Sequence, residues 1–422
     1  MPDWRARAAC AAAVLTAACG HPAPPAPPAS APTGLASVAV GVPAGLDTAP
    51  FDTPRQALVP PGWTLSVWAR VPRARLAAWA PDGALLVSVP AAGQVLRLAP
   101  GEPQPQSTVL LDGLDQPHGL AFDRGTLYVA ESDQVNAFDY RGARADGRRV
   151  VAGGLPDARS PDLGGAYAHA LKSVAVGRDG AVYFSIGSTG NITADDRTAE
   201  PPRATIMRVP PEGGPATPFA TGVRNGTGLA TAPDGALWTA VNNRDQVPDP
   251  RPGPEYATVT DYVNDHPPES VARLTPGREL GWPYCNPDID RGPAFVRDVQ
   301  INADGSKLDC TALPPVEQTL GAHSAPLGLS FTTGTLPAPY DSGALVGVHG
   351  SWNRTPPRAP EVSFFAWRDG TLGPQQTLVG GFQDQDGSRW GRPVAAVAGP
   401  DGAVYITDDY AGAVYRLTPP GR

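Results

Sequence analysis

The amino-acid sequence predicts an all-β protein, a six-bladed β-propeller, and three observations carry that reading. A turn-and-strand phrase returns six times: PDGALLVSV from Pro81, DRGTLYVAE from Asp123, RDGAVYFSI from Arg178, PDGALWTAV from Pro233, DSGALVGVH from Asp341 and PDGAVYITD from Pro400. A second strand-like run follows each one (QVLRL, QVNAFD, TIMRV, SVARL, EVSFFAW and AVYRL). The composition, with 48 Gly, 51 Pro and 18% charged residues, favours turns and short strands over long helices. The Gly of each phrase supplies a position tolerant of positive φ. The run after it alternates small or polar with β-branched or aromatic residues, the pattern of a half-buried strand. Recurrence at intervals of about 40 to 60 residues, with one wider gap, fits blades joined by unequal loops. Loops of all blades converge at the ends of a propeller, so residues beside the phrases are the candidates for function.

The chain opens on a targeting segment. Arg5 and Arg7 precede the apolar stretch Ala8 to Ala18, which is too short to span a membrane. Thr16-Ala17-Ala18-Cys19 resembles a bacterial lipobox with its Leu displaced to Leu15. Residues 1–18 are thus expected to be a leader, with Cys19 the lipidated first residue; the alternative is a secretory signal cut nearby. HPAPPAPPASAP makes residues 19–50 a Pro-rich tether, disordered, and the propeller is expected over 51–422. The chain is expected to be exported to the cell envelope or secreted, touching a membrane only through this anchor. Beyond the leader, Cys285 and Cys310 remain, and an exported compartment lets them pair. Their spacing fits no zinc pattern, and no CxxCH haem motif occurs. A net charge of −8 without a Lys/Arg cluster argues against nucleic acid.

In chain order, the third phrase is preceded by His169, a general-base candidate or a hydrogen-bonded loop histidine. Before the fourth phrase stands Arg224-Asn225; the Arg offers a planar donor fork to a carboxylate or alkoxide, or a salt bridge between blades. After it, Asn242-Asn243-Arg244-Asp245 has oxygens suited to a hard cation such as calcium, in a kind of turn that is common without one. His349 to Arg354 (HGSWNR) closes the fifth phrase, and Arg389 and Arg392 precede the sixth. Cations on three blades could converge on one polyanion or remain surface charge.

Eight segments in order from Gln116 to Thr418 resemble the soluble quinoprotein glucose/sorbosone dehydrogenase family, most of all its sorbosone branch. They are QPHGLAF, the His169 block ending DGAVYFSIGS, GVRNGTGLA, NNRD, GWPYC, HSAPLGLSF, HGSWNR and GRPV with PDGAVYITDD. The resemblance implies a six-bladed propeller holding pyrroloquinoline quinone and calcium. It oxidises an aldose or a related hydroxyl or aldehyde compound and passes electrons to an external acceptor. It implies that His169 is the general base, that Arg224 supports the reduced quinone oxygen and that Asn225 contacts the cofactor. Calcium would be held by backbone or side-chain oxygens of Asn243, Arg244 and Asp245. Arg392 and Arg389 would bind cofactor carboxylates, and Gln116 lies near a family Gln in a loop of different spacing.

Two departures stand out. Ser188 occupies the place of an Asp that orients the catalytic His in glucose-oxidising members. The stretch Val348 to Ser351 replaces a cofactor-facing Lys, with His349 or Arg354 as substitutes. Two other functions fit a six-bladed propeller: a calcium-dependent lactonase using Glu131, Asn243 and Asp408, and a binding module for sugar or protein without turnover. The segment between the fourth and fifth phrases, with GWPYC and the two cysteines, is expected to shape the substrate entrance.

Overall fold

The computed structural model describes residues 34–250, 260–288 and 294–421. Six sheets of four or five strands follow one another along the chain, as the six phrases predict. The phrase runs are the second strand of each sheet: Leu85–Val89, Thr126–Ala130, Val182–Ile186, Leu237–Val241, Ser342–Val348 and Val404–Asp408. The runs that follow are the third strands, for example Gln94–Ala99 and Thr205–Val209. Closure uses the N-terminal strand Thr64–Arg70, which pairs antiparallel with Ala413–Thr418 and completes the sixth blade. Pairing the two ends of the chain removes the free edges that an open arc would leave.

The second strands are more buried than alternation predicts. Leu85–Val89, Val182–Ile186, Leu237–Val241 and Val404–Asp408 are buried at every position. The reason is that both faces of a blade are covered. Six apolar clusters each lie between two adjacent blades. Leu85, Val87 and Val89 pack toward the sixth blade, whereas Leu86 packs toward the second. Period-2 alternation here selects which neighbour a side chain meets, not core against solvent.

The first strands line the axis: Ala77–Trp79, Gly119–Asp123, Val174–Val176, Gly228–Thr231, Pro326–Thr333 and Pro393–Ala398. They approach so closely that a Cβ on Gly119 would lie 2.6 Å from the backbone nitrogen of Val174. An axial cavity of about 50 Å³ among Leu120, Ser173, Thr227, Gly328 and Ala395 is left. That is room for water alone, so a ligand has to sit at one end of the axis.

Two features depart from expectation. Residues 34–50 were assigned to the disordered tether, yet Ala36–Ala39 pairs with Gln56–Val59, and Val40 and Leu46 join the core between the fifth and sixth blades. The described body therefore begins before residue 51, while the leader and Cys19 lie outside the described residues. In the fifth phrase the Gly is not a turn residue: Gly343 lies within its strand, where a Cβ would stand 2.1 Å from the Phe364 ring. Cys285 and Cys310 form the expected disulfide, with Cα atoms 5.6 Å apart. The insertion that carries them leaves the fourth blade after its third strand and first adds Arg278–Glu279, ahead of the bridge, in parallel to the outer strand of the third blade, Thr217–Thr221. No helix among the described residues is long and apolar enough to cross a membrane.

Candidate functional site

Every candidate for the quinone site lies in one of two kinds of loop: those leading into a first strand, and those joining second and third strands. Antiparallel strands place both kinds at the same end of the axis. His169, Arg224, Asn225, Arg389, Arg392 and Gln116 occupy lead-in loops; Asn243, Arg244, Asp245, His349 and Arg354 occupy the others. The prediction of one functional face follows directly from the strand order.

Polar contacts run around this face from blade to blade. His169 Nδ1 lies 2.9 Å from the Ser188 carbonyl oxygen and 3.0 Å from its hydroxyl, which itself donates to Gly190 O at 2.7 Å. Nδ1 therefore carries the proton, and Nε2 is the basic nitrogen. Burial, then the charge of Arg224, pushes the imidazole down to about 4. Arg224 is buried and donates to Asn243 O at 2.8 Å, Asn242 O at 3.3 Å, Asn191 O at 3.3 Å and Asn191 Oδ1 at 3.1 Å. The Asn225 carboxamide stands beside Gly187, against which His169 also packs.

Asn191 is the residue that joins these parts. Its Oδ1 accepts from Asp245 N at 2.8 Å and its Nδ2 donates to Asp245 O at 2.9 Å. The Trp282 indole, carried on the same insertion three residues before Cys285, donates to Asn191 O at 3.1 Å. That segment thus reaches the site loops from outside. Asp298 on it pairs with Arg244, whose guanidinium is buried there and also donates to Asp245 O at 3.2 Å and Gln246 O at 3.0 Å. Asp245 Oδ1 accepts from Asn353 at 2.9 Å and faces His323 Nδ1 at 3.2 Å. The other nitrogen of His323 faces Val263 O at 2.6 Å. Two facing acceptors favour an N–H on each nitrogen; burial opposes the charged form, but Asp245 and the Val263 carbonyl outweigh it and raise the His323 pKa. Glu269 is buried behind the turn and accepts from Asn243 N.

A second cluster lies between the fifth blade and the first two. His349 Nε2 bonds Asp409 at 2.8 Å, and its Nδ1 accepts from Arg392. One neutral tautomer satisfies both, in line with burial pushing His349 down to about 4. Asp409 also pairs with Arg75 at 2.8 Å. Burial opposes its ionisation, but the bond from His349 and the charges of Arg75 and Arg392 hold it ionised. His118 is fully buried, with Nδ1 3.2 Å from Lys172 O and its pKa pushed down to about 3 by burial and then by Arg75. The Nε atoms of Arg75 and Arg392 and Nε2 of His118 are buried without a hydrogen-bond partner among the described residues. Two guanidinium groups, one carboxylate and two neutral imidazoles leave this cluster one positive charge and three unsatisfied nitrogens.

The remaining candidates are placed differently. Arg389 donates to Gln383 at 3.0 Å, Arg358 O at 3.2 Å and the Ser351 carbonyl. Arg354 is held by Asn264 O, Pro356 O and Asp265 at the rim. Gln116 is exposed at a positive φ of 48°. The lactonase set is not assembled. Glu131 accepts from Asp115 N, Asn136 and Arg148, and Asp408 from Arg392 N, Tyr410 N, Ala411 N and Tyr415, so both carboxylates are spent on their own surroundings. Sequence reading passed over Arg75, His118, Asn191, Glu269, His323 and Asp409. His118 and His323 lie within the quoted QPHGLAF and HSAPLGLSF, in the lead-in position that singled out His169.

A profile of the TrAA12-like family matches residues 57–420. Among curated proteins, the chain is 28% identical over 202 residues to an uncharacterised protein of Borreliella burgdorferi, covering 47% of this chain and 48% of that one. It is 24% identical to the pyrroloquinoline quinone-dependent pyranose dehydrogenase of Coprinopsis cinerea, covering 75% of this chain and 56% of that enzyme. The chain thus spans about half the length of the curated relatives it matches. Among solved structures, the holo pyranose dehydrogenase PQQ domain of Coprinopsis cinerea superposes with a TM-score of 0.72 at 19% identity, over 86% of this chain and 97% of that one. The calcium structure of the Trichoderma reesei family AA12 enzyme gives 0.70 at 20% identity, over 86% and 96%. The chain belongs to the TrAA12-like family of six-bladed propellers and is a distant relative of the pyrroloquinoline quinone-dependent sugar dehydrogenases.

Proposed function

We propose that this chain is a pyrroloquinoline quinone-dependent dehydrogenase that oxidises an aldose or related hydroxyl or aldehyde compound and delivers electrons to an external acceptor. The observation that carries this reading is the pair of clusters on one face: a basic Nε2 on His169 beside buried Arg224, and a cationic pocket with three buried, unpartnered nitrogens. The fit to the quinone rests on the two guanidinium nitrogens among them, Nε of Arg75 and of Arg392, because a flat molecule with three carboxylates needs buried donors at its edge. Arg75 and Arg392 would hold its carboxylates, Arg224 and Asn225 its reactive side. When bound, the quinone supplies the hydride acceptor. His169 takes the proton of the substrate hydroxyl at Nε2, while Ser188 fixes the ring by holding Nδ1. Arg224 supplies positive charge beside His169 and favours its neutral, basic form. A calcium ion would draw on the carbonyl oxygens of Asn243 and Arg244 and the Asp245 carboxylate, hard donors of the kind that ion takes.

The glucose or sorbosone type of activity belongs to this proposal, as does the site of action. An exported, lipid-anchored enzyme is supported by the Thr16–Cys19 sequence and by the Cys285–Cys310 bridge, which an oxidising compartment preserves. The test is reconstitution of the apo-protein with the quinone and calcium, followed by dye reduction on a sugar and aldehyde panel. Dye reduction that requires the quinone is expected. No quinone binding by calorimetry or absorbance overturns the reading.

A further inference from the structure

Five large hydrophobic side chains are exposed among the described residues: Leu58, Val109, Val150, Trp352 and Tyr410. The first three sit on peripheral strands, Gln56–Val59, Gln106–Leu111 and Arg144–Ala152. The two aromatics are both in loops of the functional face. Trp352 is 79% exposed and Tyr410 is 57% exposed.

Neither ring is exposed because its backbone is loose. Ser351, the residue before Trp352, is buried, bonds Arg358 through its N–H at 3.1 Å and its hydroxyl at 2.8 Å, and gives its carbonyl to Arg389. Asn353, the residue after, donates to Asp245 at 2.9 Å. The Tyr410 N–H donates to Asp408 at 2.9 Å, and the preceding Asp409 is bonded to His349 and Arg75. The two loops are tied to each other by the His349–Asp409 bond. Arg389 holds the first of them through the Ser351 carbonyl. Both rings therefore stand on fixed backbone. Leaving an indole in water on a rigid loop forgoes its burial, which signals a surface made for contact.

We infer that Trp352 and Tyr410 form a saccharide-stacking subsite, taking a sugar ring of an oligosaccharide beyond the ring that His169 reaches. This rests on the sugar-oxidising reading above for its relation to His169, but not for binding itself. A pyranose has an apolar C–H face that lies flat on an aromatic ring and a rim of hydroxyls that needs polar partners. The Tyr410 hydroxyl is one such partner, and Arg354, two residues after Trp352 and at the rim, is another. A protein partner would call for a continuous apolar patch, and here each aromatic is flanked in the chain by polar or charged residues, Ser351 and Asn353 for Trp352 and Asp409 for Tyr410.

The experiment is calorimetric titration of the apo-protein with cellotriose and with glucose, alongside absorbance titration with the quinone. Cellotriose is expected to bind more tightly than glucose. Trp352→Ala and Tyr410→Ala should each weaken cellotriose binding about tenfold, with Trp352→Phe recovering part of the loss. Quinone affinity should stay unchanged in all three variants. No cellotriose binding, or binding indifferent to Trp352→Ala, overturns the inference. So does a loss of quinone affinity in Trp352→Ala, which would make the indole a cofactor contact. Failure of the quinone to bind wild-type protein, with cellotriose binding still dependent on Trp352, would overturn the dehydrogenase reading and leave the subsite standing.

Discussion

The imidazole of His169 is held by Ser188 through a single ring nitrogen, 2.9 Å from the carbonyl oxygen and 3.0 Å from the hydroxyl. A serine fixes the ring without adding negative charge. Burial and Arg224 then push His169 down to about 4, against a smaller upward pull from Ser188 and Asp245. A base works when deprotonated, so kcat/KM should rise with pH through about 4 and be flat above pH 6 for this group. Ser188→Asp should move that midpoint upward by a unit or more, because a carboxylate favours the charged imidazole. A pH profile that does not move removes Ser188 from the control of basicity. His169→Ala should lower kcat by about 10²-fold or more with quinone affinity retained.

Arg75 and Arg392 each keep a buried Nε without a partner, and Asp409 balances only one of the two charges. An anionic ligand edge should therefore bind more weakly when either is neutralised. Arg75→Gln and Arg392→Gln should each lower quinone affinity about tenfold or more, the scale of a charge-assisted hydrogen bond. Arg354→Gln, held at the rim by Asp265, should leave it unchanged. Absorbance titration of the apo-protein distinguishes these outcomes; equal losses in all three would mean that general surface charge attracts the ligand.

The second and third strands of every blade could be read from the sequence because each carries a long β-branched run after a turn. The first strands are less uniform, because close packing at the axis admits short, small-residue segments such as Ala77–Trp79, which have little strand signature of their own. The same limit applies to the site. His169 and Arg224 were legible from their position before a strand, and His118 holds that same position one blade earlier. Asn191 was not legible: nothing in STGN distinguishes a loop asparagine in water from one bonded to Asp245 and Arg224, since its partners lie 33 and 54 residues away. Arg244 and Arg389 show the converse, as cations in functional loops whose charge serves Asp298 and loop carbonyls.

The disulfide should stabilise the segment that reaches Asn191. Cys285 and Cys310 are 25 residues apart and both buried. Replacing both with Ala should cost about 3 kcal/mol in the chain-entropy description. Denaturant midpoints with and without reductant check this. Reductant should destabilise the wild type and leave the double variant unaffected, and an equal effect on both would place the reductant's action elsewhere.

Asn191 should couple that segment to the turn proposed for calcium. Its side chain makes three hydrogen bonds, two exchanged with Asp245 and one from Arg224. Asn191→Ala removes all three and leaves a main-chain N–H and a guanidinium nitrogen short of an acceptor, at a cost of about 2 to 4 kcal/mol. The larger consequence is for the turn, whose Asp245 would lose its tether on the side of the third blade. A calcium ion that binds only the folded protein raises its melting temperature. That rise should be present in the wild type and at least halved in Asn191→Ala. Asn191→Asp keeps the acceptor for Asp245 N–H and Arg224 but loses the donor to Asp245 O, so its stability should fall between the two. Thermal denaturation across a calcium series measures both effects at once. A calcium-induced rise in Asn191→Ala equal to that of the wild type would show that the turn holds its shape without Asn191.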